Sequence, residues 1–172
     1  MPFLREQYAD DYATVSQAVL AALLQGEQYW STHFDVVAQL MPNCPLRKAD
    51  DVRAAMRQFL SASCDFQISA FRFGWMNPWW ALRKNTEGGV ERLFPAAASK
   101  RSQDLTDLYC PTGAIWIASC RAFKLSASFY GPDFSIHELP WEAAVDIDDP
   151  EDLRMAQAVA IMRGSCNGGR SC

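Results

Sequence analysis

Val145-Asp-Ile-Asp-Asp-Pro-Glu-Asp-Leu153 reads as an apolar strand that ends in acid and runs straight into a helix. Residues i and i+2 of a strand share a face, so Asp146 and Asp148 are expected to project together from its C-terminal end. In open α/β sheets that end is where ligands sit. Paired carboxylates there suit Mg²⁺, a hard cation that takes oxygen ligands, retains waters and shares its shell with substrate phosphates. Asp149 has the character of an N-cap, with Pro150 at the first helical position and Glu151 and Asp152 in the first turn. The same letters also make an ordinary helix start whose acids complement the helix dipole. The metal reading therefore depends on the rest of the chain.

A chain of 172 residues, nearly half of them hydrophobic and only 21% charged, can bury a core and is not disordered. A net charge of −4, with no basic run or stripe, argues against a nucleic-acid partner. No apolar stretch approaches a membrane span. Met1-Pro-Phe-Leu-Arg-Glu-Gln7 lacks the layout of a signal peptide, which points to the cytoplasm. The six cysteines are scattered, with no Cys-x-x-Cys pair, and Cys64 and Cys120 read as core residues. His33 and His137 stand far apart and read as surface or packing residues, so a zinc site is not expected.

Val15, Val19, Leu20, Leu23 and Leu24 form an apolar stripe that predicts a helix over residues 15 to 30. Phe34–Met41 reads as a buried strand, Pro42–Arg47 as a loop, Ala49–Leu60 as a helix and Cys64–Phe71 as a strand. This order makes a βαβ unit and predicts a parallel pair. Residues 72 to 112 hold Trp75, Trp79 and Trp80, a Gly88-Gly89 turn and no long helical period. They read as an insertion that leaves the sheet, with a hairpin from Trp80–Leu82 to Val90–Phe94. Gly113–Ala118 returns as a strand, followed by a short helix near Arg121 to Leu125 and an extended stretch from Phe134 to Leu139. A closing helix runs from Pro150 to about Met162. Residues 164–172, rich in Gly and Ser, read as a flexible tail outside a domain of residues 1–163.

Three segments in this order resemble the nucleotidyltransferases that activate nonulosonic acids: the CMP-sialic acid synthetases (acylneuraminate cytidylyltransferases) and their pseudaminate and legionaminate relatives. Leu40-Met-Pro-Asn-Cys-Pro-Leu-Arg47 is similar to the family's Leu-Gln-Pro-Thr-Ser-Pro-Leu-Arg loop. Arg101-Ser-Gln-Asp-Leu105 with Tyr109-Cys-Pro-Thr-Gly-Ala-Ile-Trp-Ile117 is similar to Arg-Arg-Gln-Asp-Leu-Pro, then Tyr and Asn-Gly-Ala-Ile-Tyr-Ile. Asp146-Ile-Asp148 with Pro150-Glu-Asp-Leu153 is the third, and Pro2–Arg5 with Asp10-Asp11 also resembles a family segment.

The resemblance implies a three-layer α/β fold around a mainly parallel, Rossmann-like nucleotidyltransferase sheet. It implies CTP and a nonulosonic acid as substrates, joined as a CMP-sugar with release of pyrophosphate. Asp146 and Asp148 would be the catalytic Mg²⁺ ligands. Asn43 and Arg47, on the proline-rich loop, would border the sugar. Arg101 and Gln103 would meet the sugar acid near a dimer interface. Trp116 stands at a position of the sugar pocket, and Phe129 and Tyr130 match an aromatic pair before the last strand. The stretch 72–112 resembles the β-rich dimerisation insertion that reaches over a partner's site, which implies a homodimer.

Departures from the family pattern are expected to matter. The family's glycine-, arginine- and lysine-rich phosphate loop has no counterpart here, so the resemblance implies an N-terminally truncated relative with Phe34–Met41 as an open, apolar sheet edge. Loss of oriented donors of this kind costs roughly 10²–10³ in rate for each donor. Little turnover by this chain alone is the expectation, with a non-catalytic sugar-acid-binding and dimerisation remnant as the alternative. A related transferase using another nucleotide is a third reading. Met41, Ser102 and Trp116 stand where sialate enzymes carry Gln, Arg and Tyr, which puts the identity of the sugar in doubt and brings the pattern nearer the pseudaminate branch.

Overall fold

The computed structural model describes residues 8, 10 and 12–167. Pro2–Arg5 and Asp11 of the additional N-terminal resembling segment, and residues 168–172 of the expected tail, lie outside the described residues. The elements run α1 (Val15–Trp30), β1 (Val36–Gln39), α2 (Ala49–Ser61), β2 (Phe66–Arg72), β3 (Leu82–Lys84), β4 (Val90–Arg92), β5 (Tyr109–Ser119), α3 (Cys120–Ser126), β6 (Ser135–Glu138) and α4 (Pro150–Asn167).

Local chemistry sets the helix ends. Thr14 Oγ1 accepts the Gln17 N–H at 3.2 Å while Gln17 Oε1 accepts the Thr14 N–H at 2.9 Å, a capping box that starts α1. Ser31, in the left-handed region at φ 48°, ends it. Ser119 caps α3 by accepting the Ala122 N–H at 3.3 Å.

The main sheet has the order β1-β5-β2-β6. β1, β2 and β6 run one way and β5 runs against them, so of the neighbouring pairs only β2 with β6 is parallel. The sheet is mixed rather than mainly parallel. The expected β1-α2-β2 unit keeps its common strand direction, but its strands are not neighbours, because β5 lies between them. β1 stands at an edge, as expected for Phe34–Met41. On one face Leu23 of α1 and Phe123 of α3 pack with Phe66, Ile68, Ala118 and Phe129. On the other, Ala55 and Phe59 of α2 pack with Ile115, Ile117, Cys44 and Leu139. Helices thus cover both faces of the sheet in a mixed α/β fold.

β5 contains a wide bulge. Ile68 pairs with Trp116, yet the next residue, Ser69, pairs with Thr112. The intervening Gly113-Ala114-Ile115 bows out of the ladder with β2, and side chains replace the lost partners. The buried Ser69 hydroxyl accepts the Ile115 N–H and donates to the Thr112 carbonyl, both at 2.9 Å. Trp116 Nε1 donates to the same Thr112 carbonyl at 2.8 Å. Arg47 donates to the Ala114 carbonyl at 2.6 Å, and the Met41 N–H donates to the Gly113 carbonyl at 3.3 Å. Gly113 makes room for the Met41 side chain, since a Cβ there would lie 1.9 Å from Met41 Sδ. The strand expected to begin at Gly113 begins at Tyr109, and its glycine is an interior bulge residue.

At the other end of the sheet Glu27 joins three elements. Its carboxylate accepts Lys124 Nζ of α3 at 2.8 and 2.7 Å and the Phe34 N–H ahead of β1 at 3.2 Å. The Glu27 side chain is only 9% exposed, so these partners replace the water it has lost. His33 lies 3.7 Å away and is itself exposed.

The excursion from the sheet spans 73–108, narrower than expected because Arg72 and residues 109–112 belong to β2 and β5. Phe73 N–H donates to Leu108 O at 3.0 Å and closes its base. β3 and β4 form the expected hairpin in a sheet of their own. Trp79 packs edge-on against Phe94 and donates from Nε1 to Thr106 O at 2.8 Å, whereas Trp75 is 86% exposed.

α4 extends beyond the expected Met162 end, so residues 164–167 of the expected tail are helical. Ala156 and Val159 are buried and Asp152 and Arg163 half-buried. These positions fall at i, i+4, i+7 and i+11, one inward-facing stripe with a polar residue at each end.

Two outcomes test this architecture. Ser69→Ala leaves buried bulge groups without a partner and is expected to cost about 1–3 kcal/mol in urea unfolding. Hydrogen bonding to Lys124 comes first among the causes that hold the Glu27 carboxyl below its ordinary range, against the opposing effect of burial. A depressed folded pKa gives stability that is present above the ordinary glutamate value of about 4.3 and is lost as pH falls through the lower folded value. Urea midpoints should therefore fall in acid for the parent, with a shallower fall for Glu27→Gln.

Candidate functional site

The C-terminal ends of β1 and β6 lead into the two segments that form the site. After β6 the chain turns at Pro140, passes a 3₁₀ turn at Trp141–Ala143 and runs extended through Val145–Asp148. This segment is not a strand of the sheet, contrary to expectation. It is held by side-chain and loop contacts instead: Thr112 Oγ1 donates to the Ala144 carbonyl at 3.1 Å, and the Ile147 N–H donates to the Asn43 carbonyl at 2.9 Å. The two-residue alternation survives. Val145 and Ile147 are half-buried, while Asp146 and Asp148 are exposed on the other side.

The loop after β1 supplies the second wall. Asn43 Nδ2 donates to Asp148 Oδ1 at 3.1 Å, so the first and third resembling segments meet directly. Cys44, beside Asn43, is fully buried. Burial pushes its thiol up most, and the charges of Asp146 and Asp148 push it further. Cys110 at the start of β5 is likewise pushed up by burial and then by Asp146. The buried Cys44 thiol, where the resembling loop has Ser, was not singled out in the sequence. Its signal was a cysteine at a position where the resembling loop carries a hydroxyl.

The other candidate residues divide. Arg47 donates to the carbonyls of Met41 at 3.1 Å and Ala114 at 2.6 Å, so it ties the loop to the bulge. Trp116 is tied to Thr112 and stacks near Phe129 and Tyr130, with centroids 5.6 and 5.5 Å away. Phe129, the first of the matched aromatic pair and a candidate substrate-binding residue by resemblance, is fully buried against Phe123 at 4.4 Å and packs in the core. Tyr130 alone of the pair presents a surface. Arg101 pairs twice with Asp104, at 2.8 and 3.1 Å, in the exposed turn that also carries Gln103. Among the described residues no hydrogen bond or ion pair links Arg101 or Gln103 to the Asn43–Asp148 contact.

Asp146 and Asp148 are exposed carboxylates of the hard-oxygen kind that Mg²⁺ takes, and no group of three or more His, Cys, Asp or Glu suited to a metal occurs among the described residues. With two carboxylates the ion would keep waters or take phosphate oxygens for the rest of its shell. The flanking helix starts are no phosphate cradle. α2 carries Asp50 and Asp51 in its first turn, and α4 carries Glu151 and Asp152, which repel an anion from those N–H groups. No helix among the described residues is long and apolar enough to cross a membrane.

The acid pair therefore lies beside the C-terminal ends of β1 and β6 in a mixed α/β sheet. No protein-family model matches the chain. It is 28% identical over 158 residues to a pseudaminic acid cytidylyltransferase of Campylobacter jejuni serotype O:2, covering 91% of this chain and 67% of that protein. A second Campylobacter jejuni protein of that name, from serotype O:23/36, is 28% identical over 160 residues. An N-acylneuraminate cytidylyltransferase of Streptococcus agalactiae serotype V is 28% identical over 114 residues, 66% of this chain and 27% of that protein. These relatives are cytidylyltransferases that act on nonulosonic acids by name, and the chain is similar to them over most of its length. It spans about two thirds of the length of the Campylobacter relatives.

Arg47→Met should lose roughly 1–3 kcal/mol of stability by denaturant titration, because two carbonyls lose a charged donor. A side chain that only touched sugar would leave the midpoint unchanged.

Proposed function

We propose that this chain carries the cation and sugar-acid side of a cytidylyltransferase that joins CMP from CTP to a nonulosonic acid and releases pyrophosphate. The observation that carries the reading is the meeting of the Asn43 loop with Asp148 beside Asp146, at the position where the resemblance puts catalytic carboxylates. The names of the relatives support the substrate class.

Asp146 and Asp148 would hold the Mg²⁺. When bound, the ion would neutralise charge on the nucleotide phosphates and polarise a phosphoryl oxygen. Asn43 keeps Asp148 in place through Oδ1. The anomeric oxygen of the sugar would bond to the α-phosphorus while the bond to the bridging oxygen of the leaving pyrophosphate breaks, and the hydroxyl proton passes to solvent. Such a transfer rests on positioning and charge neutralisation. Tyr130 and the edge of Trp116 would wall the sugar. Arg101 and Gln103 would meet its carboxylate, from a homodimer whose excursion 73–108 presents Trp75, Met76, Leu82, Val90 and Leu93. Residues 1–163 would form one Rossmann-like nucleotidyltransferase unit, working in the cytoplasm where CTP is available.

A second reading, binding of the sugar acid without turnover, is favoured by the acid-bearing starts of α2 and α4, which offer no anion cradle to the triphosphate.

The test is pyrophosphate release by the purified chain with CTP, Mg²⁺ and either pseudaminic or N-acetylneuraminic acid. Slow release with one sugar, lost in Asp148→Asn, is the expected outcome. Calorimetric binding of a sugar acid without release would establish the second reading instead. Neither release nor binding would overturn both.

A further inference from the structure

The Asn43–Asp148 contact joins two irregular segments, and irregular backbone holds a side chain less firmly than a helix or strand does. Both segments are nevertheless fastened to one rigid element. On the acid side, Asp152 Oδ2 in the first turn of α4 accepts the N–H groups of Asp148 and Asp149, each at 3.1 Å. On the loop side, Arg163 near the far end of the same helix donates from Nη1 to the Leu46 carbonyl at 2.8 Å. Asp152 and Arg163 lie eleven residues apart, about three turns, and so on one face. Ala156 and Val159, at 4% and 3% exposure, fill that face between them. The loop is thus held at Leu46 by α4, and its Asn43 reaches back to the carboxylate that begins α4.

We infer that α4 is a two-ended clamp for the acid pair, with Arg163, through the loop that carries Asn43, and Asp152, directly through the Asp148 backbone, as positioning residues that fix the direction in which Asp148 presents its carboxylate to a divalent cation. The inference rests on the reading that Asp146 and Asp148 hold such a cation. Asn43 contributes its amide to Asp148 Oδ1 and leaves Oδ2 as the better-placed ligand oxygen. Neither Arg163 nor Asp152 needs to touch the cation.

The experiment is Mn²⁺ binding to the full chain, followed by loss of the free-ion electron paramagnetic resonance signal, with folding checked by circular dichroism. Partners one shell away from a metal are typically worth 10–100-fold in affinity, so Asn43→Ala and Arg163→Met should each weaken Mn²⁺ binding about tenfold or more. Arg163→Lys, which can still donate to Leu46 O, should recover part of the loss. In the Asn43→Ala background, Arg163→Met should add nothing, because its effect runs through Asn43. A merely structural arginine would give additive losses. Asp152→Ala tests the other end, should Arg163→Met fail to fold. Unaltered binding in folded Arg163→Met and Asp152→Ala, alongside loss in Asp148→Asn, would overturn the clamp and leave the cation site standing. Unaltered binding in Asp148→Asn, or none in the parent, would overturn the cation reading itself and the clamp with it.

Discussion

The bulge in β5 is the constraint on which the rest of the molecule depends. Gly113-Ala114-Ile115 leaves the ladder in the middle of a sheet, where every backbone donor and acceptor needs a partner. Five residues answer that need: Ser69 from β2, Thr112 and Trp116 from β5 itself, and Met41 and Arg47 from the loop after β1. The loop that carries Asn43 is therefore in place because the bulge requires Arg47 and Met41. The segment that carries the aspartates is in place because Thr112, at the base of the bulge, donates to Ala144. A local break in hydrogen bonding has become the mount for the site.

This arrangement explains the mixed behaviour of the expected sugar residues. Arg47 Nη1 is committed to the Met41 and Ala114 carbonyls and Trp116 Nε1 to the Thr112 carbonyl, so both side chains also hold the backbone around the bulge. Phe129 is part of the packing behind them. The exposed groups near the site include the carboxylates of Asp146 and Asp148, with more carboxylates on the neighbouring helix starts. Such a surface attracts a divalent cation, and through it a phosphate, far better than it attracts a bare anion.

Much of the element order was legible in the chain because it rests on local rules. The 15–30 stripe, the Gly88-Gly89 hairpin and the acid-rich start of α4 were all read at nearly their observed positions. What was misread depends on partners distant in sequence. Tyr109–Pro111 lacks a clean strand pattern, and only pairing with β2 makes it part of β5. Gly113 inside an apolar run is a known mark of a bulge, and it was read as a strand start. The stretch at Asp146 has strand letters, but Pro140 and the turn at Trp141–Ala143 carry it out of the sheet, and Asn43 takes the hydrogen bond that a ladder would have taken.

The sequence by itself determined the helices, the hairpin, the alternation that exposes Asp146 and Asp148 together, and the likeness of these motifs to those of the cytidylyltransferases. Those follow from side-chain periodicity, capping chemistry and short motifs, all of which act within a few residues. Only the tertiary structure decided that β5 runs between β1 and β2, that Arg47 and Trp116 hold backbone, and that Asn43 meets Asp148 from 105 residues away. Those depend on which buried polar groups must find partners once the sheet closes, and that demand exists only in the folded chain.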